Sequence, residues 1–212
     1  MSQSCVLCAP LNRTGDSELT LLSVAKRKRL KLPVSIMVHV EHDPIAVEVC
    51  KFNHRDDGIK HHYIEKFEDI YGADDDPNSS LIAMLVETYG PFDLVLSGSP
   101  CQSYSGLNAS RDQTSDNARY LCKVGWLIQK LDEIQMESEK ANEKVLFVSE
   151  NVVFGDHDEV DKCYTDHRGG LHPVCLDAKD FGPCKRNRFC KLSLCFMQML
   201  PMFDSHAFCC DI

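Results

Sequence analysis

The chain alternates short apolar runs with segments whose apolar residues recur at helical spacing. Residues 34–40 and 92–98 are apolar runs of strand length. Residues 43–55 and the segment from Leu81 to Tyr89 carry apolar side chains at helical intervals instead. Strands that alternate with helices in this way predict a parallel β-sheet covered by helices, which is an α/β fold.

The second half of the chain continues this alternation. A long helix is predicted around the apolar positions from Tyr120 to Ile134, and a third strand over residues 145–149. Residues 173–178 and 188–194 are predicted as further strands.

The helix predicted over residues 43–55 has a recognisable start. Pro44 suits the first turn, where a backbone N–H has no partner within the helix. We expect Val47, Val49 and Phe52 to be the residues that this helix buries.

Size and composition favour one intracellular domain. The 212 residues are 43% hydrophobic, which is enough for a single sizeable core over residues 1–212. No apolar run approaches the length of a membrane span, and the N-terminus lacks the pattern of a signal peptide, so no membrane partner is expected. The 12 cysteines are therefore predicted to be reduced thiols. Cys5 and Cys8 have metal-ligand spacing, but no second pair accompanies them, and no metal site is expected.

Charge argues against strong nucleic-acid binding by this chain alone. The net charge is −9, whereas a protein that grips phosphates usually presents a basic face. The dense basic run at residues 26–29 fits a nuclear-import or phosphate-binding patch. It fits the solvated end of a helix equally well.

Three predicted strands end in side chains that can act as acids, bases or nucleophiles: Glu41, Cys101 and Glu150. Open parallel sheets bind ligands beyond the carboxyl ends of their strands, so these groups are expected at one crevice. Cys101 follows a turn at residues 98–100, which exposes it at the sheet edge. A thiol with a pKa of about 8.5 needs activation to react at neutral pH. A buried structural cysteine is the alternative, and the Pro-Cys-Gln context favours the nucleophile.

Three strings resemble motifs of the cytosine-C5 DNA methyltransferases. Residues 98–105, Gly-Ser-Pro-Cys-Gln-Ser-Tyr-Ser, resemble the nucleophile motif. Residues 147–153 resemble the Glu-Asn-Val motif, and residues 185–189 the paired-arginine motif. Order and approximate spacing match as well. Val-Glu-His-Asp at 40–43 is closest to the animal de novo enzymes and their plant relatives.

The resemblance, which covers about residues 34–195, implies a Rossmann-like class I S-adenosylmethionine-dependent methyltransferase fold and a reaction. Cys101 would add to C6 of cytosine, and C5 would then take a methyl group from S-adenosylmethionine. Glu150 would hydrogen-bond N3 and the amino group of the base. Arg188, and secondarily Arg186, would bind O2 of the base; a surface ion pair is the alternative role for both.

The resemblance also implies cofactor and substrate contacts. Glu41 would bind the cofactor ribose, with His42 along the adenine face. Glu65, Glu68 and Asp69 lie where the family has an acid near the adenine amino group, and Glu65 is the residue selected. Ser99 and Pro100 are assigned to both cofactor and substrate. The remaining predicted substrate contacts are Gln102, Ser103, Ser105 and Asn151.

A target base inside a duplex must be flipped out to reach the thiol. The loop at residues 103–116 is predicted to cover the flipped base. Two departures from the family pattern are evident: residues 6–15 match its Gly-rich first motif only at Thr14 and Gly15, and no target-recognition region or C-terminal motif follows Arg188. We therefore expect a nuclear, incomplete catalytic domain whose DNA recognition comes from a protein partner or a missing domain.

Two other functions remain open. The motifs also fit a methyltransferase that acts on cytosine C5 in transfer RNA, and the divergent first motif fits a non-catalytic regulator that keeps the fold. A thiol redox or hydrolytic enzyme is disfavoured because Cys101 lacks a Cys-x-x-Cys partner and a persuasive histidine.

Overall fold

The computed structural model describes residues 4–9, 34–73, 77–98, 116–139, 141, 143–152, 174–177 and 187–192. For residues 150–152, 174–177 and 187–192, among others, only the backbone is described. The elements are β1 (Ser4–Ala9), β2 (Val34–Val40), α1 (Pro44–His54), β3 (Lys60–Ile64), α2 (Glu68–Tyr71), α3 (Ser79–Tyr89), β4 (Phe92–Gly98), α4 (Asp116–Glu137), β5 (Leu146–Val152), β6 (Val174–Asp177) and β7 (Asn187–Leu192).

The strands form one sheet in the order β3-β2-β1-β4-β5-β7-β6. The first five of these are mutually parallel, and β7 runs antiparallel to both of its neighbours. The order of the strands reverses at β1, which pairs with β2 on one side and with β4 on the other. Such a reversal opens a crevice at the carboxyl ends of the two central strands. This arrangement confirms the predicted Rossmann-like class I methyltransferase fold.

Helices cover both faces of the sheet. On one face, α2, α3 and α4 pack on the strands around a core that includes Leu7, Val38 and Leu127. On the other face, α1 covers β2 and β3, where His39 contacts the ring of His54 and the thiol of Cys50. In the part of the chain that is described, no helix has both the length and the apolar character needed to cross a membrane.

Helix α1 starts as its sequence predicts but buries a different face. Asp43 caps it, because its Oδ1 accepts a hydrogen bond from the Ile45 N–H at 2.9 Å. The expected burial of Val49 and Phe52 is wrong, since they are 44% and 63% exposed. His54 is buried instead, because the strands beneath present polar rings that an aliphatic face would leave without hydrogen bonds.

The beginning of β4 is held by a side chain from α4. Gln135, which is 1% exposed, accepts a hydrogen bond from Phe92 N at 2.6 Å and donates one to Phe92 O at 3.1 Å. Both ends of the buried amide are thus paired with one backbone residue. This contact anchors the strand that leads to the predicted nucleophile.

Most element boundaries follow the predictions, but four elements depart from them. Strand β5 continues to Val152, three residues beyond the predicted end, because it pairs with β7 there. Strands β1 and β3 and the short helix α2 were not among the predicted elements. The expectation of reduced thiols throughout is wrong at Cys122, which is disulfide-bonded.

Candidate active site at the carboxyl edge of the sheet

Strand register brings three segments with predicted catalytic residues to one edge. Gly98, the last residue of β4, is the Cα partner of Glu150 in β5. On its other side β5 pairs with β7, where Val152 is the partner of Arg188. Neighbouring strands are about 4.8 Å apart, so the backbones of Glu150 and Arg188 lie on adjacent strands within two residue positions of each other.

A buried hydroxyl pair joins β4 and β5 just below this edge. The Oγ atoms of Ser97 and Ser149 are 3.0 Å apart, and these residues are 4% and 0% exposed. Each precedes the register pair of Gly98 and Glu150 by one residue. The hydrogen bond between them therefore links the two strands one residue before Gly98 and Glu150.

Several predicted site residues lie outside the described residues: Ser99, Pro100, Cys101, Gln102, Ser103, Ser105 and Arg186. So do Thr14, Gly15, the basic run at 26–29 and most of the loop at 103–116. For Glu150, Asn151 and Arg188 the backbone position alone is described. The contacts expected of these side chains stay predictions.

Glu41 directly follows β2, at the carboxyl end of that strand. Its N–H donates to the Ile64 carbonyl at 3.0 Å, which extends the pairing of β2 with β3 by one residue. Its Oε1 accepts a hydrogen bond from Asp43 N at 2.8 Å and lies 3.3 Å from His42 Nδ1. The carboxylate is only 15% exposed, whereas the His42 side chain is 84% exposed. An acceptor oriented by the backbone in this way is suited to hydroxyl ligands.

The acids that follow β3 differ in their surroundings. Glu65 and Asp69 are exposed. Glu68 is half-buried and accepts a hydrogen bond from the Tyr120 hydroxyl at 2.6 Å, which lowers the pKa of Glu68. Glu68 is thus tied to α4, and Glu65 remains an exposed carboxyl directly after β3.

Sequence reasoning missed a cluster of potential metal ligands beneath α1. His54, Asp57 and His61 each offer a metal-ligand atom, and these atoms lie within 4.8 Å of one another. The spacing His-x-x-Asp-x-x-x-His was the signal that could have revealed it. A surface cavity of about 230 Å³ elsewhere contains no predicted site residue; it is lined by Pro77, Ser79, Trp126, Gln129, Lys130 and Glu133.

Comparison of the sequence with protein-family models finds no match, and comparison with curated proteins finds none either. Among solved structures, the chain is similar to PH1948 from Pyrococcus horikoshii, which is provisionally described as an RNA methyltransferase. The TM-score is 0.42 and the sequence identity 14%, over 87% of this chain and 71% of that one.

Proposed function

We propose that the chain is an enzyme that transfers a methyl group from S-adenosylmethionine to C5 of cytosine in DNA, through a covalent bond between Cys101 and C6. The observation that carries the proposal is the agreement between motif order and strand register. The nucleophile motif begins at the last residue of β4, and the other two motifs overlap β5 and β7. These three strands are neighbours in the sheet although β6 precedes β7 in the chain.

The register of these strands supports a shared site. Cys101 follows three residues after Gly98, whose strand partner is Glu150. Arg188 pairs with β5 two residues beyond Glu150. The backbone positions of Gly98, Glu150 and Arg188 lie at one sheet edge. A thiol, a carboxyl and a guanidinium brought together there would suit the recognition of a single extruded pyrimidine.

The reaction that we assign to these residues needs only two reactants, the cytosine base and the methyl donor. The Cys101 thiolate adds to C6, while Glu150 stabilises the ring by hydrogen bonds at N3 and the amino group. Arg188, assisted by Arg186, holds O2. C5 would then take the methyl group of S-adenosylmethionine, which would leave as S-adenosylhomocysteine. A base then removes the C5 proton, and the electrons of that bond expel Cys101 and restore the aromatic ring.

The described residues fit the cofactor that this reaction needs. Glu41 follows β2 beside the central crevice, and its carboxylate is fixed by the N–H of Asp43. We assign the two ribose hydroxyls to Glu41, the adenine face to His42, and the adenine amino group to Glu65. These positions after β2 and β3 are where Rossmann-like sheets hold the nucleoside part of their cofactors.

DNA is the proposed partner, and binding of DNA requires basic surface in addition to that of this chain. The chain carries a net charge of −9, so phosphate contacts would come largely from another domain or protein. We propose that the loop at residues 103–116 covers the flipped cytosine. Nuclear localisation follows from a DNA substrate and belongs to the same proposal.

Trapping on DNA that contains 5-fluorocytosine tests the proposal. Fluorine at C5 blocks the final elimination, so the full chain should form a covalent adduct with S-adenosylmethionine present. Cys101→Ser should abolish the adduct, whereas the control Cys50→Ser, which replaces a cysteine on α1, should retain it. An adduct with fluorinated transfer RNA alone would identify RNA as the substrate. Binding of cofactor and DNA with no adduct would contradict catalysis and support the regulator.

A further inference from the structure

Helix α1, the turn after it and β3 together form a compact imidazole–carboxylate cluster. His54 Nδ1 lies 2.9 Å from Asp57 Oδ2, and His61 Nε2 lies 3.0 Å from the same oxygen. The His54, His61 and Asp57 side chains are only 2%, 10% and 19% exposed. The carboxylate therefore stands between two imidazoles that are largely shielded from water.

The spacing of these atoms is close to that of a metal-binding site. Zinc binds imidazole nitrogen and carboxylate oxygen at about 2.0–2.2 Å, which places tetrahedral ligands about 3.3–3.5 Å apart. The three potential ligand atoms here lie within 4.8 Å of one another. Coordination of an ion would require these atoms to come closer together by side-chain rotation.

A fourth residue orients one of the imidazoles. His39 Nε2 lies 2.7 Å from His61 Nδ1, the ring nitrogen that faces away from Asp57. The two rings are stacked with centroids 5.0 Å apart. Metal-binding histidines usually have their second nitrogen engaged in this way, which fixes the ring and its tautomer. With His61 Nδ1–H donating to His39 Nε2, the lone pair of His61 Nε2 points to the cluster.

We propose that His54, Asp57 and His61 form a binding site for one divalent transition-metal ion of the zinc class, with His39 positioning His61. Two neutral imidazoles and one carboxylate are a ligand set that zinc accepts, and water would complete the tetrahedron. The ion would connect the end of α1 to the start of β3. The site is separate from the proposed methyl-transfer site, so neither proposal depends on the other.

Zinc binding to the full chain, with its accessible thiols kept reduced, tests this site. After removal of metal by a chelator, the unmodified protein and His61→Asn are titrated with Zn²⁺ against a competing chelator. Cysteines elsewhere contribute equally to both proteins, so the difference reports the cluster. We expect His61→Asn to lose one equivalent, or to bind it about tenfold or more weakly.

His62→Asn is the matched control. His62 is the next residue on the same strand, and its ring packs against Tyr89 with centroids 4.6 Å apart, outside the cluster. This variant should bind zinc as the unmodified protein does. Equal zinc binding by all three proteins would overturn the proposal.

A second measurement decides the matter if His61→Asn does not fold. In the unmodified protein, Zn²⁺ should shift the imidazole NMR signals of His54 and His61 and leave those of His62 unchanged. No shift at His54 and His61 would overturn the proposal.

Discussion

The hydrogen bond between Tyr120 and Glu68 makes stability depend on pH. It lowers the pKa of Glu68 in the folded chain below the ordinary value of about 4.3. Its contribution is therefore present above pH 4.3 and is lost as the pH falls through the folded-state pKa. Tyr120→Phe should reduce the free energy of unfolding at pH 7 by about 1 kcal/mol or less, since Glu68 is partly exposed to solvent.

Urea unfolding over a pH series checks this prediction. The difference between Tyr120→Phe and the unmodified protein should shrink as the pH falls below 4. Tyr89→Phe serves as control, and its effect should not follow the ionisation of Glu68. A Tyr120→Phe effect that is constant from pH 7 to pH 3 would contradict the assigned role.

Asp132 presents the opposite electrostatic case. Burial raises the pKa of this carboxyl, although its Oδ1 accepts a hydrogen bond from Val145 N at 2.6 Å. The folded state therefore binds the proton of this carboxyl more tightly than the unfolded state does. The resulting stabilisation is fully present below the ordinary pKa of about 3.9 and is lost as the pH rises through the folded-state pKa. Asp132→Asn keeps an acceptor and removes the charge, so it should be at least as stable as the parent at pH 7.

Asp132→Ala should instead lose about 1–2 kcal/mol, because it leaves Val145 N without its acceptor. Chemical denaturation of the two variants at pH 7 separates the effects of charge and hydrogen bond. Equal destabilisation by both substitutions would be incompatible with this assignment.

Glu41 is the residue on which the proposed cofactor site can be tested directly. Glu41→Ala should weaken S-adenosylmethionine binding about tenfold or more, because it removes charge-assisted hydrogen bonds to the ribose. Titration calorimetry measures the change. Glu48→Ala is the control, since Glu48 is an exposed acid on α1 that pairs with Lys51. Equal affinity in both variants would exclude Glu41 from the site.

At the scale of elements, local pattern predicted some strands and not others. Strands β2 and β4 were predicted with their observed bounds because each is an apolar run that is largely buried. Strand β3, Lys-His-His-Tyr-Ile, lies at the edge of the sheet with no fully buried residue, so it lacks that signal. The buried face of α1 could not be predicted because it depends on the rings that β2 and β3 place beneath it.

The contact between α4 and β4 carries a prediction at this scale. Gln135→Ala should lower the free energy of unfolding by about 2 kcal/mol or more, because the N–H and carbonyl of Phe92 lose a buried partner. Met136→Ala, at the neighbouring position that is 49% exposed, should change it much less. Urea denaturation compares the two. Similar midpoints for both variants would show that the Gln135 contact is not stabilising.

At the scale of the whole molecule, the sequence predicted the fold class but only part of the pairing. Strand ends bearing Glu41 and Glu150 could be assigned to one edge because parallel strands share their polarity. The position of Arg188 opposite Val152 could not, since it depends on β7 entering between β5 and β6. The cluster of His39, His54 and His61 likewise requires the register of two strands and the placement of a helix.

The insertion of β7 has a consequence for synthesis on the ribosome. Strand β5 ends at Val152, but its outer partner begins only at Asn187, so more than thirty residues must emerge before that edge is filled. Until then the nascent chain exposes unpaired backbone donors and acceptors along β5, which attract strands from other molecules. Translation that pauses within this interval should therefore promote aggregation, and chaperones that cover extended segments should suppress it.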